Sequence, residues 1–138
     1  MPVSAATHAH TPVAALRARL KSERAALATD FMCRPRPVRY LSRHADLVDG
    51  VLTELCEALA LPAHCCLAAV GGYGRGELFP GSDVDVLLLI ADEPDATARA
   101  SIERWVQACW DVGLEIGHGV RTVQASIDEA SRDLTIET

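Results

Sequence analysis

Residues 70–90 read VGGYGRGELFPGSDVDVLLLI, and the fold turns on how this stretch is read. Four glycines fall within residues 71–76, directly after the short apolar run Cys65–Val70. That run predicts a buried strand, and the glycines predict a tight turn, because a residue without a Cβ lets the backbone bend sharply and lets its amides approach an anion. Asp83–Ile90 (DVDVLLLI) is β-branched and Leu-rich at strand length, so a second strand is expected there. Two familiar glycine signatures do not fit: there is no G-x-G-x-x-G register, and no Gly-Lys-Ser/Thr follows, the sole lysine being Lys21.

Asp83 and Asp85 stand two apart on the expected strand, so they project from one face, about 6.6 Å apart at the backbone. Carboxylates held this way repel unless a cation lies between them. Chemistry that uses such a pair is a two-metal site, with ions about 3.5–4 Å apart and oxygen ligands that favour Mg²⁺ or Mn²⁺. An isolated D-x-D would ordinarily be a strand-start cap and a solvent-facing acid on an edge strand. Here Gly71-Gly72 lies upstream, Ser82 immediately precedes Asp83, and aliphatic residues follow Asp85, which together favour the metal reading.

Outward from this stretch the pattern is helical. Thr11-Pro12 is a helix start, and Val13, Leu16, Leu20, Leu27 and Phe31 recur at helical spacing to about Asp30. Arg34-Pro35-Arg36-Pro37 interrupts it. A second helix is expected over about 43–60, with Leu47, Val48, Val51, Leu52, Leu55 and Leu59 on one stripe and Pro62 ending it. Residues 74–79 could make one helical turn. Asp95–Val112 predicts a helix with Ala98, Ile102, Trp105, Val106 and Cys109 inward, Leu114–Val123 a third strand, and 124–131 a further helix. The expected fold is α/β, a small mixed sheet flanked by helices with an N-terminal helical arm. The expected organisation is a loose leader over 1–10, a helical region over 11–62 and a core over 63–138 that reads as incomplete at its C-terminal end.

Composition narrows the function classes. The chain has 138 residues, 49% of them apolar and 23% charged, which suits one domain with a core of Leu, Val, Ala and Ile, since aromatics are 4%. No apolar run approaches the roughly 18–20 residues of a membrane span, and the N-terminus lacks the basic start and apolar stretch of a signal peptide, so a cytoplasmic protein without membrane contact is expected. Five cysteines without a CxxC pair suggest reduced, mostly packed thiols, including the vicinal Cys65–Cys66. The net charge of −6 divides into +6 over residues 1–45 and −12 over residues 46–138. A nucleic-acid surface would interleave basic residues with aromatics, and the arm offers only Phe31 and Tyr40, so no nucleic-acid partner is expected. Arg75 could reach a phosphate or pair with Glu77. Arg121 could be a phosphate clamp or a surface cation. His118 reads as a packed core residue beside Ile116 and Val120, and Trp105 and Trp110 as core residues.

The Gly-Gly turn followed by Asp-Val-Asp on a strand resembles the nucleotidyltransferase motif of the DNA polymerase beta superfamily. The longer string GGYGRGELFPGSDVDVLLL, with DVGLEIGHGVRT downstream, is similar to the N-terminal catalytic domain of the bacterial bifunctional uridylyltransferase/uridylyl-removing enzymes, which modify the PII nitrogen-signalling protein. The resemblance covers about residues 12–138 and implies a polymerase beta-like core. It implies that Asp83 and Asp85 are catalytic carboxylates holding Mg²⁺ or Mn²⁺, and that Gly71, Gly72 and Ser82 contact the UTP phosphates, with Arg75 a further candidate. The superfamily's third carboxylate falls to Glu115, with Asp133 beyond it as an alternative. The implied reaction is transfer of UMP from UTP to a tyrosine hydroxyl of PII. No His-Asp dipeptide occurs, so the uridylyl-removing activity is not expected, nor is glutamine sensing. An inactive piece that still binds nucleotide, or a small nucleotidyltransferase with another acceptor, are the alternatives.

Overall fold

A computed structural model of the chain describes residues 11–132; the expected leader over 1–10 and the segment 133–138, with Asp133, lie outside the described residues. Two long helices come first, α1 (Thr11–Cys33) and α2 (Pro37–Leu59). The second starts earlier than the sequence suggested. Pro37 stands in its first turn, where a missing amide hydrogen costs nothing and a fixed φ suits the helix, so the residue taken as a breaker is the helix start. The helix stops with Ala60 in the left-handed region at φ 41°, two residues before Pro62. On α1, Leu16, Leu20 and Leu27 are buried, and on α2 His44, Ala45, Leu47, Val48, Val51, Leu52 and Leu55.

Three strands follow: β1 (Cys65–Ala69), β2 (Val84–Ile90) and β3 (Ile116–Thr122). They form one mixed sheet in the order β1-β2-β3. β1 runs antiparallel to β2 with Leu67 opposite Leu88, and β3 runs parallel to β2 with Asp85 beside Gly117. Parallel pairing requires a crossover, and α4 (Ala96–Val112) supplies it. Its start is capped by the Asp95 carboxylate, which accepts from the Ala98 amide at 2.8 Å; its end is closed by Gly113 at φ 102°. The single turn α3 (Gly71–Gly74) lies between β1 and β2, ahead of the 74–79 stretch expected to be helical, where residues 75–79 are not helical, and α5 (Val123–Arg132) follows β3.

The sheet has two unlike faces. Val84, Val86 and Leu88 are buried in one cluster with residues of α1, α2 and α4, and Ile90 is buried as well, while Asp85 is exposed and Leu87 and Leu89 half-buried on the other side. Several expectations change at this level. β1 is half-exposed rather than buried, because it is an edge strand covered on one side only, so Cys66 is exposed and Cys65 half-buried. The five thiols are free, and only Cys109 is buried, where desolvation pushes it up to about 12. Trp105 is fully buried, as expected, but Trp110 is 51% exposed on the outer side of α4. His118 is exposed, since β3 is also an edge strand and its even-numbered face extends past the helix cover.

Candidate active site

The two glycine positions that matter are set by Asp85. Gly71 adopts φ +60°, a conformation L side chains disfavour, and a Cβ there would come 3.1 Å from Asp85 Oδ2. Across the parallel pair, a Cβ on Gly117 would lie 2.5 Å from Asp85 Oδ1. The Asp85 carboxylate therefore sits between two residues that have no side chain, on the open face of the sheet. Its backbone is pinned to the turn, because the Val70 amide donates to the Asp85 carbonyl at 3.0 Å.

Asp83 lies one residue ahead of β2 and is exposed. Among the described residues, neither Asp83 nor Asp85 has a side-chain hydrogen bond or an ion pair. Glu115 lies one residue ahead of β3, also exposed, and its carbonyl accepts from the Val84 amide at 2.8 Å, so the parallel register brings Glu115 beside Asp83 at the strand starts. The Glu115 charge also acts on the half-buried Arg24, partly opposing the fall in that group's pKa that burial causes. Among the described residues no three His, Cys, Asp or Glu side chains converge as a metal cluster.

The other candidates fall on two turns ahead of the acids and, for Arg121, on β3. The amides of Gly71, Gly72 and Tyr73 begin α3, where no intrahelical acceptor exists for them. Gly74 and Arg75 close the turn, donating to the Val70 and Gly71 carbonyls at 2.9 and 3.2 Å. Arg75 Nε faces Glu77 Oε2 at 3.4 Å, both side chains exposed, so the ion pair with Glu77 is formed. Phe79-Pro80-Gly81-Ser82 makes a second turn, in which both the amide and the hydroxyl of Ser82 donate to the Phe79 carbonyl, at 3.2 and 2.7 Å. Arg121 pairs with Glu129 of α5, away from the acidic pair.

Residues that the sequence reading missed hold this turn in place. Tyr73 is buried, and its hydroxyl donates to Asp49 of α2; burial and that carboxylate push its pKa up, so it stays protonated. His44, 2% exposed, donates from Nδ1 to the Leu78 carbonyl at 3.0 Å and accepts from Arg24 Nε at 3.1 Å on Nε2, while Arg24 also donates to the Gly113 carbonyl at 3.2 Å. Helices α1 and α2, the loop carrying Leu78 and the end of α4 are thus tied together. Gly117 had a legible signal: a glycine inside a strand marks a close approach of something else. Tyr73–Asp49 and His44–Leu78 had none, because they join segments far apart in sequence.

Chemically, the arrangement offers two exposed carboxylates without partners among the described residues, Asp85 on the open face and Asp83 just ahead of the strand, beside a turn of free amides. Oxygen donors of this kind suit a hard divalent cation, and the free amides suit an anion. The family described as "Putative nucleotidyltransferase DUF294" matches residues 13–120. Among curated proteins, the chain is 61% identical over 127 residues to the bifunctional uridylyltransferase/uridylyl-removing enzyme of Thiobacillus denitrificans, covering 92% of this chain and 15% of that protein. It is 50% identical over 125 residues to the enzyme of the same name from Cupriavidus pinatubonensis, covering 91% of this chain and 14% of that protein. It is 44% identical over 138 residues to the one from Aromatoleum aromaticum, covering 100% and 16%. The chain therefore spans about 15% of the length of these relatives. No solved structure matches.

Proposed function

Because the chain belongs to the DUF294 nucleotidyltransferase family, we propose that it transfers UMP from UTP to a tyrosine hydroxyl of the PII signalling protein. The observation that carries this reading is the Asp85 carboxylate, walled by Gly71 and Gly117 and without a protein partner on the open face. The names of the relatives point to uridylyl transfer. In the reaction, the tyrosine oxygen attacks the α-phosphorus, the bond from that phosphorus to the bridging oxygen of the β-phosphate breaks, and pyrophosphate leaves while the hydroxyl proton passes to solvent. Asp83 and Asp85 would hold Mg²⁺ or Mn²⁺; Glu115, just ahead of the neighbouring strand, is the candidate third carboxylate, although it does not converge with the pair into a cluster in this structure. A divalent ion bound there supplies a Lewis acid that neutralises charge on phosphate oxygens and acidifies a hydroxyl. The amides of Gly71 and Gly72 and the Ser82 hydroxyl orient the triphosphate, Ser82 by giving up its bond to the Phe79 carbonyl. Arg75 joins them by exchanging Glu77 for a phosphate oxygen, which its exposed position permits. Catalysis then rests on positioning and charge stabilisation.

Calorimetry with UTP and Mn²⁺ tests the site. Asp83→Asn and Asp85→Asn should each abolish metal-dependent UTP binding with the circular dichroism spectrum unchanged; binding retained in both variants removes the metal role. Incorporation of labelled UMP into PII, run against the other three nucleoside triphosphates, tests the reaction. Equal use of all four, or labelling of another acceptor only, would displace the UTP–PII assignment.

A further inference from the structure

At the corner where α1 meets α2, Phe31, Met32, Tyr40, Leu41, Phe79 and Pro80 line an apolar groove of about 390 Å³. Phe31 and Tyr40 form its floor, packed edge to face with ring centroids 5.4 Å apart. Met32 is 79% exposed and Phe79 58%, so two large apolar side chains stand in water on its walls. A single exposed apolar side chain needs no explanation, but here two stand together over one apolar groove.

Charge says what fits it. Residues 31–45 contain four arginines and no acid. Arg43 pairs with Asp30 at 3.3 Å, but Arg34, Arg36 and Arg39 are exposed and make no ion pair among the described residues. These three neighbour Met32, Pro37 and Tyr40 in the chain, so the segment that carries the groove also carries exposed positive charge without an ion-pair partner among the described residues. A long nucleic acid suits this poorly, since three cations make a short phosphate track and the remainder of the chain from residue 46 carries −12. A short acidic segment feels mainly the nearby arginines, because screening confines the field to about 8–10 Å at ordinary ionic strength.

The groove also touches the loop that leads into the acidic pair. Phe79 and Pro80 are part of the turn closed by Ser82, and Asp83 is the next residue. A partner seated against Phe79 would lie beside the transfer site without covering it. We infer that this groove docks the protein acceptor through an acidic segment bearing an aromatic or aliphatic anchor, an inference that rests on the transfer reading above. The anchor enters between Met32 and Phe79, and the flanking carboxylates meet Arg34, Arg36 and Arg39. Affinity from the apolar anchor and orientation from the charges is the usual division of labour at interfaces.

Fluorescence anisotropy tests this with the whole chain and a labelled peptide, Glu-Glu-Phe-Glu-Glu-Leu-Glu-Glu. Two control peptides replace every Glu by Lys, or Phe and Leu by Ala. The acidic, anchored peptide should bind and both controls should bind at least about tenfold more weakly. Met32→Glu and the double variant Arg36→Glu/Arg39→Glu, all at exposed positions, should each weaken binding by a similar factor. Calorimetry should show their UTP–Mn²⁺ affinity unchanged. Failure of the wild-type chain to bind the peptide, equal binding of the lysine peptide, or variants that bind like wild type would overturn the inference. So would displacement of the peptide by a dodecathymidylate at micromolar concentration, which would assign the corner to nucleic acid. Sedimentation showing a dimer that the same variants dissociate would assign it to a second copy and equally overturn it. Peptide binding without UTP binding leaves the groove a docking surface and removes the transfer reading, whereas UTP binding without peptide binding does the reverse.

Discussion

The space around Asp85 is fixed by what Gly117 lacks. Adding one carbon there would place it 2.5 Å from Asp85 Oδ1, closer than real contacts allow, so either the carboxylate turns away or β3 shifts. Gly117→Ala should therefore weaken Mn²⁺ binding by about tenfold, or about 1.4 kcal/mol, measured by calorimetry. Gly119→Ala is the internal control: its Cβ would meet only Leu87 Cδ1 at 3.6 Å, an ordinary contact, and metal affinity should hold. At this scale the sequence was informative where one residue type answers one need. The period of two placed Asp85 on the face opposite Val84 and Val86, and the glycine turn ahead of it was foreseen. His118 went wrong because alternation says which residues share a face but not how far a covering helix extends.

At the scale of elements, the loop between the glycine turn and β2 is held by the imidazole of His44. In its neutral form this ring donates to Leu78 and accepts from Arg24; protonation removes the acceptor and places a second cation beside Arg24, with the Tyr40 ring packed 6.2 Å away and Glu115 acting on Arg24 from β3's approach. Burial, above all, and Arg24 hold its pKa below the usual 6.5, against the pull of the Leu78 carbonyl. Between its folded pKa and 6.5 the unfolded chain binds the proton more readily, so stability is full above 6.5 and is lost as pH falls through that range. The melting temperature should drop between pH 7.5 and pH 5.5, and His44→Gln should flatten that slope; an unchanged slope would show that the ring carries no such linkage. The elements themselves were largely legible. Asp95 and Gly113 bracket α4 by cap chemistry that can be read directly, and the α2 stripe from Leu47 to Leu55 is the buried one. The start of α2 was not, because proline is both a breaker and a favoured first-turn residue, and only packing of the turn it begins decides which.

For the molecule as a whole, one core joins what the sequence divides into a helical region and a sheet. Leu20 of α1, Leu55 of α2, Leu88 of β2 and Trp105 of α4 are all essentially inaccessible and belong to the same cluster. Unfolding should then be a single transition, with tryptophan fluorescence, whose change comes mainly from Trp105 because Trp110 is already half in water, coinciding with far-ultraviolet circular dichroism. Leu88→Ala should lower stability by about 2–5 kcal/mol in both signals at once; two separated transitions would mean that the helices and the sheet hold together independently. The mixed order of that sheet has a consequence for how the chain is made. As synthesis proceeds, the Gly71 wall of the Asp85 pocket leaves the ribosome before the acid itself, but the Gly117 wall emerges only after the whole of α4. A nascent chain halted within that helix carries both aspartates and the turn, yet has one side of the pocket still unbuilt. The long-range parallel closure, the costlier kind in loop entropy, is what supplies the second wall beside Asp85.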